Sequence, residues 1–198
     1  MTTISRCGTI LSAVALAAFV SGSRPASAQV EGIGGASRVG SPAVSASAVD
    51  VSTADSIISA LYGAISGPAG KKRDWDRFRA LFLPEARLIV ARARRDSTGK
   101  IQPLVMTVNE YISGSGGLET QGFFEREAAQ ISETFGSVTH RFSTYESRGH
   151  ANDPKPFARG INSIQLLNDG RRWWIVTVFW DSERPGMPIP ERYLPRSP

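Results

Sequence analysis

A chain of 198 residues with 41% hydrophobic content is long enough for one domain of common size plus appendages, and too apolar for wholesale disorder. Its formal charge of +5 falls to +3 once Arg6 and Arg24 of an N-terminal export segment are set aside, leaving 21 basic against 18 acidic residues, a bias too mild to indicate nucleic acid. The one cysteine, Cys7, lies in that same segment, so the remainder carries no disulfide, no thiolate nucleophile and no cysteine metal ligand.

Residues 1–28 read as a secretory signal. Arg6 gives the positive start, Gly8 to Val20 the apolar run, and Ala26-Ser27-Ala28 a small-x-small cleavage site. The apolar run of 13 residues is short for a membrane span, which needs about 20. The expectation is an exported protein, periplasmic or secreted, cleaved after Ala28 and without membrane attachment afterwards. From Gln29 to Val51 the chain is Gly, Ser, Ala and Val without a period, and is predicted to be a flexible, disordered linker. The folded domain is predicted over residues 52–183.

Ser52 or Thr53 caps a first helix, and Ile57, Ile58, Leu61, Tyr62 and Ile65 form its apolar stripe. Gly67-Pro68-Ala69-Gly70 ends it, and Lys71-Lys72-Arg73 follows as a basic bridge. Asp74 caps a second helix with Trp75, Phe78, Leu81 and Phe82 on one side, stopped by Pro84. Arg87 to Ala93 alternates as a strand, and Lys100 to Met106 returns. Thr107-Val108-Asn109-Glu110 is a capping box opening a short third helix with Tyr111 and Ile112. Ser113 to Gly117 is predicted as a flexible loop; it lacks the Gly-Lys-Ser/Thr ending of a phosphate-binding loop.

Phe123 to Thr134 and Ser137 to Arg148 read as a long antiparallel pair turning at Phe135-Gly136. Arg159 to Trp180 reads as a second hairpin around Asp169-Gly170, a two-residue turn signal. The 15 residues from Arg184 onward include five prolines and are predicted to run extended over the surface, pinned by Ile189, Tyr193 and Leu194. The order implies an α+β fold: three N-terminal helices packed in the concavity of a curved, mainly antiparallel sheet.

Four stretches carry a resemblance to a known superfamily. They are Trp75-x-x-Phe78-x-x-Leu81-Phe82-x-Pro84-Glu85-Ala86, the helix after Thr107, Gly136-x-x-x-His140-x-Phe142-Ser143-Thr144-Tyr145-Glu146, and Asp169-Gly170-x-x-Trp173-x-Ile175. In this order they resemble the nuclear-transport-factor-2-like superfamily, the α+β cone shared by ketosteroid isomerases and small polyketide cyclases. The resemblance implies a blind apolar pocket between helices and sheet, and dimerisation through the outer sheet face. It does not carry over a mechanism. The isomerases' aspartate base falls at about Val90, the Asp-Arg-Asp set of epoxide hydrolases has no inward-facing counterpart, and only His140 matches any part of the dehydratases' histidine pair.

A two-residue turn at Asp169-Gly170 sets Asn168 opposite Arg171, Leu166 opposite Trp173, Ile164 opposite Ile175 and Asn162 opposite Thr177. One face then carries Asn162, Ile164, Leu166, Trp173, Ile175, Thr177 and Phe179, which the resemblance turns toward the pocket. Trp174, Val176, Val178 and Trp180 fall on the other face and are expected to meet a second copy in a homodimer, or to lie under the tail or the linker. In the long pair, Phe123, Glu125, Glu127, Ala129, Ile131, Val138, His140 and Phe142 are expected to share a face.

The expected ligand-binding residues are therefore Tyr62, Val90, Tyr111, His140, Phe142, Asn162, Ile164, Trp173, Ile175, Thr177 and Phe179. His140, Glu127 and Tyr62 are the candidates for acid–base work; the structural alternatives are an arginine-paired Glu127, a satisfied core His140 and helix-stripe roles for Tyr62 and Tyr111. Arg92, Arg94, Arg95 and Lys100, with Lys71 to Arg73, read as a solvated basic rim. No metal set and no cofactor motif is visible. The sequence points to a small-ligand-binding or dimeric interaction domain acting on a small apolar ligand, with a cofactor-free isomerase, cyclase or dehydratase as the alternative.

Overall fold

The computed structural model describes residues 45–95 and 97–195. The expected signal, its cleavage after Ala28 and the linker up to residue 44 lie outside the described residues. Among the described residues the elements in chain order are α1 (Ala54–Ile65), α2 (Trp75–Arg79), β1 (Phe82–Arg95), β2 (Ile101–Met106), α3 (Val108–Gly114), α4 (Gly116–Gln121), β3 (Phe124–Phe135), β4 (Val138–Arg148), β5 (Ala158–Asn168) and β6 (Trp173–Ser182), with a 3-10 turn at Glu191–Tyr193. Among the described residues the strands form one six-stranded sheet in the order β2-β1-β6-β5-β4-β3, antiparallel at every junction but the parallel β1–β6 one. This is the expected α+β arrangement of helices against a curved, mainly antiparallel sheet.

Local chemistry explains the helix boundaries. Thr53 caps α1 reciprocally with Ser56, and Thr107 caps α3 reciprocally with Glu110, so orphan amides at both starts are satisfied. The stripe of α1 buries Ile57, Ile58, Leu61, Tyr62 and Ile65 against Phe78, Leu81, Phe82, Leu88, Ile164, Leu166, Ile175 and Val178. Gly67 pairs with Phe123 in both directions, tying the end of α1 to the start of β3.

Arg73 departs from the expected basic rim. Lys71 and Lys72 are exposed, but Arg73 is buried and its guanidinium donates to the carbonyls of Ile65, Gly67, Pro68, Lys71 and Leu118. It closes the C-terminal end of α1, where unpaired carbonyls favour a cation. Glu119 accepts from the Arg73 amide at 3.0 Å and from Trp75 Nε1 at 2.9 Å, and the Ser113–Gly117 stretch, expected as a flexible loop, instead ends α3 and begins α4, a short helix docked on this staple. The start of the folded unit also lies earlier than residue 52. Asp50 pairs with Arg77 at 2.7 Å, and the buried Val51 accepts the Trp173 amide at 2.9 Å.

The long hairpin turns at Gly136, whose φ of 57° suits glycine, and Phe135 pairs with Val138. Two bulges decide which side chains point where. In β3 the register shifts between Glu127 and Ala129, leaving Ala128 as the extra residue; in β6 Ile175 pairs with Leu166 but Thr177 with Gln165, leaving Val176 as the extra residue. Each bulge reverses the inward–outward alternation downstream of it.

The second hairpin is wider than a two-residue turn. Asn168 pairs with Trp173, so residues 169–172 form the loop, and only Gly170 has positive φ (88°). Asp169 holds that loop: its carboxylate accepts from the Arg171 and Arg172 amides and from Trp174 Nε1. The tail crosses the outer sheet face as expected. Tyr193 packs on Phe142 with ring centroids 4.9 Å apart, Thr144 donates to the Tyr193 carbonyl at 2.6 Å, and Ile189 is buried.

Candidate functional site

The inner side of β4 carries Thr139, Arg141, Ser143, Tyr145 and Ser147, all buried. The adjacent strand β5 turns Asn162 inward, and α1 lowers Tyr62 onto them from above. Tyr62 Oη shares a 2.7 Å hydrogen bond with Ser143 Oγ and accepts from Asn162 Nδ2 at 3.0 Å. Ser147 Oγ donates to Glu125 Oε2 at 2.7 Å, and the Asn162 side chain also favours the ionised form of Glu125. Five polar side chains from α1, β3, β4 and β5 thus form the floor in two hydrogen-bonded groups, Tyr62–Ser143–Asn162 and Glu125–Ser147.

Above this floor lies a cleft of about 780 Å³, lined by Asp55, Ile58, Ser59, Tyr62, Gly63 and Ser66 of α1, by Phe124 to Glu127 of β3, and by Arg141, Arg148 and the Ala151–Asp153 loop. Its rim is held by ion pairs. Arg141 is clamped between Glu127, which it grips through two nitrogens, and Asp55 at 2.5 Å. Glu146 takes both Arg126 and Arg148 at 2.9 Å. The Arg141 guanidinium is driven down by its burial and up by Glu127 and Asp55, and the pairing wins, so it stays charged.

Glu125 is the chemically unusual group. Burial pushes its carboxyl up to about 7, against the Ser147 and Asn162 donors that pull it down. The residue is only half-covered, with an edge on the cleft, so its carboxyl changes charge state where a ligand would sit. Burial and the nearby Glu125 likewise raise the Tyr62 phenol, which stays protonated and available as a hydrogen-bonding group.

The structure sorts the expected site residues into four groups. Tyr62 and Glu127 line the cleft and Asn162 stands directly behind it, though Glu127 is committed to Arg141, the structural alternative for that residue. Ile164 and Ile175 are fully buried in the apolar core, where Trp173 and Tyr111 also pack; Tyr111 stacks on Phe78 at 5.3 Å. Val90 pairs with Leu104 and Trp180 in the sheet, away from the cleft.

His140, Phe142, Thr177 and Phe179 are the residues the bulges displace. The register puts His140 and Phe142 on the face opposite Arg141 and Ser143. There His140 Nε2 meets Ser163 Oγ at 2.9 Å and its ring lies against Phe142, not against Glu127 or Tyr62. The Val176 bulge turns Thr177 and Phe179 outward and brings Val178 into the core and Trp180 against it, edge-on to Tyr111. The four residues expected to meet a second copy are therefore divided between two faces. Trp174 stays outside, but the Arg172 guanidinium stacks over its ring at 3.6 Å.

Glu125, Ser143, Ser147 and Arg141 were not singled out as candidates from sequence. The signal was present in β4, where Thr139, Arg141, Ser143, Tyr145 and Ser147 alternate as polar or polar-tipped groups. A strand face of that composition, turned inward, has to be hydrogen-bonded.

A cone of helices seated in a curved sheet, with a polar-floored cleft opening beside α1, is the architecture these residues define. The chain has the nuclear-transport-factor-2-like fold, as its four sequence stretches suggested. No family model matches the sequence, and no curated protein is similar to it. Among solved structures it is similar to a Thiobacillus denitrificans protein named as a calcium/calmodulin-dependent protein kinase type II association domain, with a TM-score of 0.51 at 12% identity over 67% of this chain and 96% of that one. It is also similar to an NTF2-like protein of unknown function from Silicibacter pomeroyi (TM-score 0.42, 15% identity, 66% and 99% covered) and to an NTF2-like protein from Cytophaga hutchinsonii (TM-score 0.42, 11% identity, 64% and 89% covered). At such identities the likeness is one of fold, and fold does not assign function.

Proposed function

We propose that this is an exported protein that binds a small molecule in the cleft between α1 and the β3–β4 hairpin. One observation carries the reading: about 780 Å³ of open space lies over a hydrogen-bonded polar floor beside an apolar core. Small-molecule sites typically enclose roughly 300–1,000 Å³, with a few convergent polar groups on mostly apolar walls. Ile58, Phe124 and Tyr62 supply the apolar contact, and Glu125 the polar one. The signal pattern of residues 1–28 supports export. The expected homodimer stays within this proposal with a changed contact set: Trp174 and Val176 remain, and the exposed Phe179 replaces Val178 and Trp180.

The test is native mass spectrometry of the exported chain, followed by fragment binding watched by ligand-observed NMR. Ser59 is exposed on α1 and lines the cleft, so Ser59→Trp fills the space without touching the core. Wild-type protein should bind and Ser59→Trp should not. Binding that survives Ser59→Trp places the ligand elsewhere, and a wild type that binds nothing ends the proposal.

A second reading rests on Glu125 alone. A carboxyl that titrates near neutrality at the floor of a cleft suits general acid–base work. The enzyme alternative accordingly moves from His140 and Glu127 to Glu125 with Tyr62. Solvent-deuterium exchange into a small enolisable ketone, lost in Glu125→Gln, is the expected sign; no exchange above buffer rate by the wild type removes it.

A further inference from the structure

The charge pattern of the cleft narrows the ligand, resting on the reading that the cleft binds one. Of the other carboxylates at the cleft, Glu127 has Arg141, and Asp153, in the loop, accepts the His150 amide at 2.8 Å; behind the wall Glu146 has Arg126 and Arg148. Asp55, on the helix side, shares Arg141. Glu125 differs. Its side-chain hydrogen-bond partner is the Ser147 hydroxyl, a neutral donor.

That arrangement has a direction. A donor aimed at a carboxyl stabilises its anion more than its neutral acid. Burial works the other way and holds the proton on. What completes the site is a positive charge delivered from the cleft side, where the edge of Glu125 is open. An anion is disfavoured, because the three arginines at the rim are already engaged by Glu127, Asp55 and Glu146. A neutral ligand would leave the carboxyl without its counter-charge. Phe124 and Tyr62 add aromatic surface, which attracts an ammonium more than an alcohol of equal size.

We propose that the ligand of this cleft is a primary or secondary amine on an apolar body, its ammonium seated against the Glu125 carboxylate. The proton balance is simple. An amine arriving neutral takes the Glu125 proton onto its nitrogen; one arriving as ammonium displaces that proton to solvent. Ser59 Oγ, at the rim, is available to accept a further ammonium hydrogen.

Three isosteric probes test the class at pH 7: benzylamine, benzyl alcohol and benzoate, titrated calorimetrically into wild type and Glu125→Gln. Benzylamine is expected to bind at least about tenfold more tightly than benzyl alcohol, the scale of one charge-assisted hydrogen bond. In Glu125→Gln that preference should fall to about one, with benzyl alcohol affinity kept. Repeating the wild-type titration in two buffers of different ionisation enthalpy should show proton release on benzylamine binding, a readout that stands even where Glu125→Gln does not fold. Benzyl alcohol or benzoate binding as well as benzylamine overturns the amine proposal and leaves the ligand-binding reading intact. Failure of all three to bind overturns both.

Discussion

The concavity beneath α1 has two halves built from one helix. In one, Ile57, Phe78, Leu81, Ile164, Leu166 and Ile175 meet with at most 1% exposure and leave no space. In the other, Tyr62, Ser143, Asn162, Glu125 and Ser147 join hydrogen bonds beneath a cleft of about 780 Å³. The difference is energetic in origin. Each buried aliphatic or aromatic side chain contributes about 2 kcal/mol, whereas a satisfied buried hydrogen bond contributes about 1 kcal/mol and an unsatisfied one costs more. The polar half therefore holds a geometry at little gain in stability, the usual signature of surface kept for a ligand.

Substitutions on either side separate the two roles. Phe78→Ala should have the largest effect on folding, about 4 kcal/mol, because a fully buried ring that touches Trp75, Phe82 and Tyr111 is replaced by a void. Denaturant unfolding measures that loss, while the protein that remains folded should bind probes as before. A Phe78→Ala chain that is stable but cannot bind would mean the halves are not separate.

Glu125→Gln comes next and acts in the opposite direction. Folded Glu125 keeps its proton up to about pH 7, while the unfolded side chain releases it near 4.5. Between those values the native state holds more protons, so wild-type stability falls as pH rises, and the full penalty is present above about pH 7. The penalty is on the order of 2–3 kcal/mol, reduced because the residue is only partly covered. Glu125→Gln should thus be more stable than wild type at pH 8 and lose that advantage by pH 4.5. Thermal unfolding across that range, with Arg141, Arg148, Glu127, Tyr62, Tyr111 and Tyr145 unchanged around the site, gives the answer. Parallel pH profiles for the two proteins would remove Glu125 as a titrating group.

Much of the filled half was legible in the sequence, and little of the open half was. The α1 stripe, the Thr107 capping box and the Gly136 turn follow from spacing and turn chemistry, and the structure keeps all three. Single-residue insertions leave no such trace. Ala128 and Val176 look like ordinary strand residues, yet each reverses the faces beyond it, separating His140 from Glu127 and turning Phe179 outward. In β6 both faces are apolar, so alternation gave no phase to correct. The Asp169-Gly170 pair carries the signature of a two-residue turn. Asp169 instead spends its carboxylate on amides two and three residues ahead and on Trp174, which opens the loop to four residues. Arg73 was hidden in a basic run, although a cation beyond the C-terminal end of α1 has carbonyls to serve.

Tyr62→Phe probes the floor at smaller cost. Removing the hydroxyl leaves Ser143 without its partner and Asn162 short of one acceptor, a loss of about 2 kcal/mol. The phenol is not charged in the native state, so this loss should not vary between pH 5 and 8, in contrast to Glu125→Gln. A pH-dependent loss would show that Tyr62 and Glu125 titrate as one unit.

His140→Ala should have the smallest effect and is the sharpest check on which face carries function. The imidazole lies on the outer side of β4, half-buried, with one hydrogen bond to Ser163 and an edge against Phe142. Losing a partly exposed hydrogen bond costs below about 1 kcal/mol, because water replaces Ser163's partner. Arg141, the next residue along, points the other way into the cleft rim, so the backbone that separates them also separates their roles. Benzylamine binding by His140→Ala should match wild type, and by Glu125→Gln it should not. The reverse pattern would mean that the ligand sits beneath the C-terminal tail, where Tyr193 now covers Phe142, and that the cleft beneath α1 is empty of function.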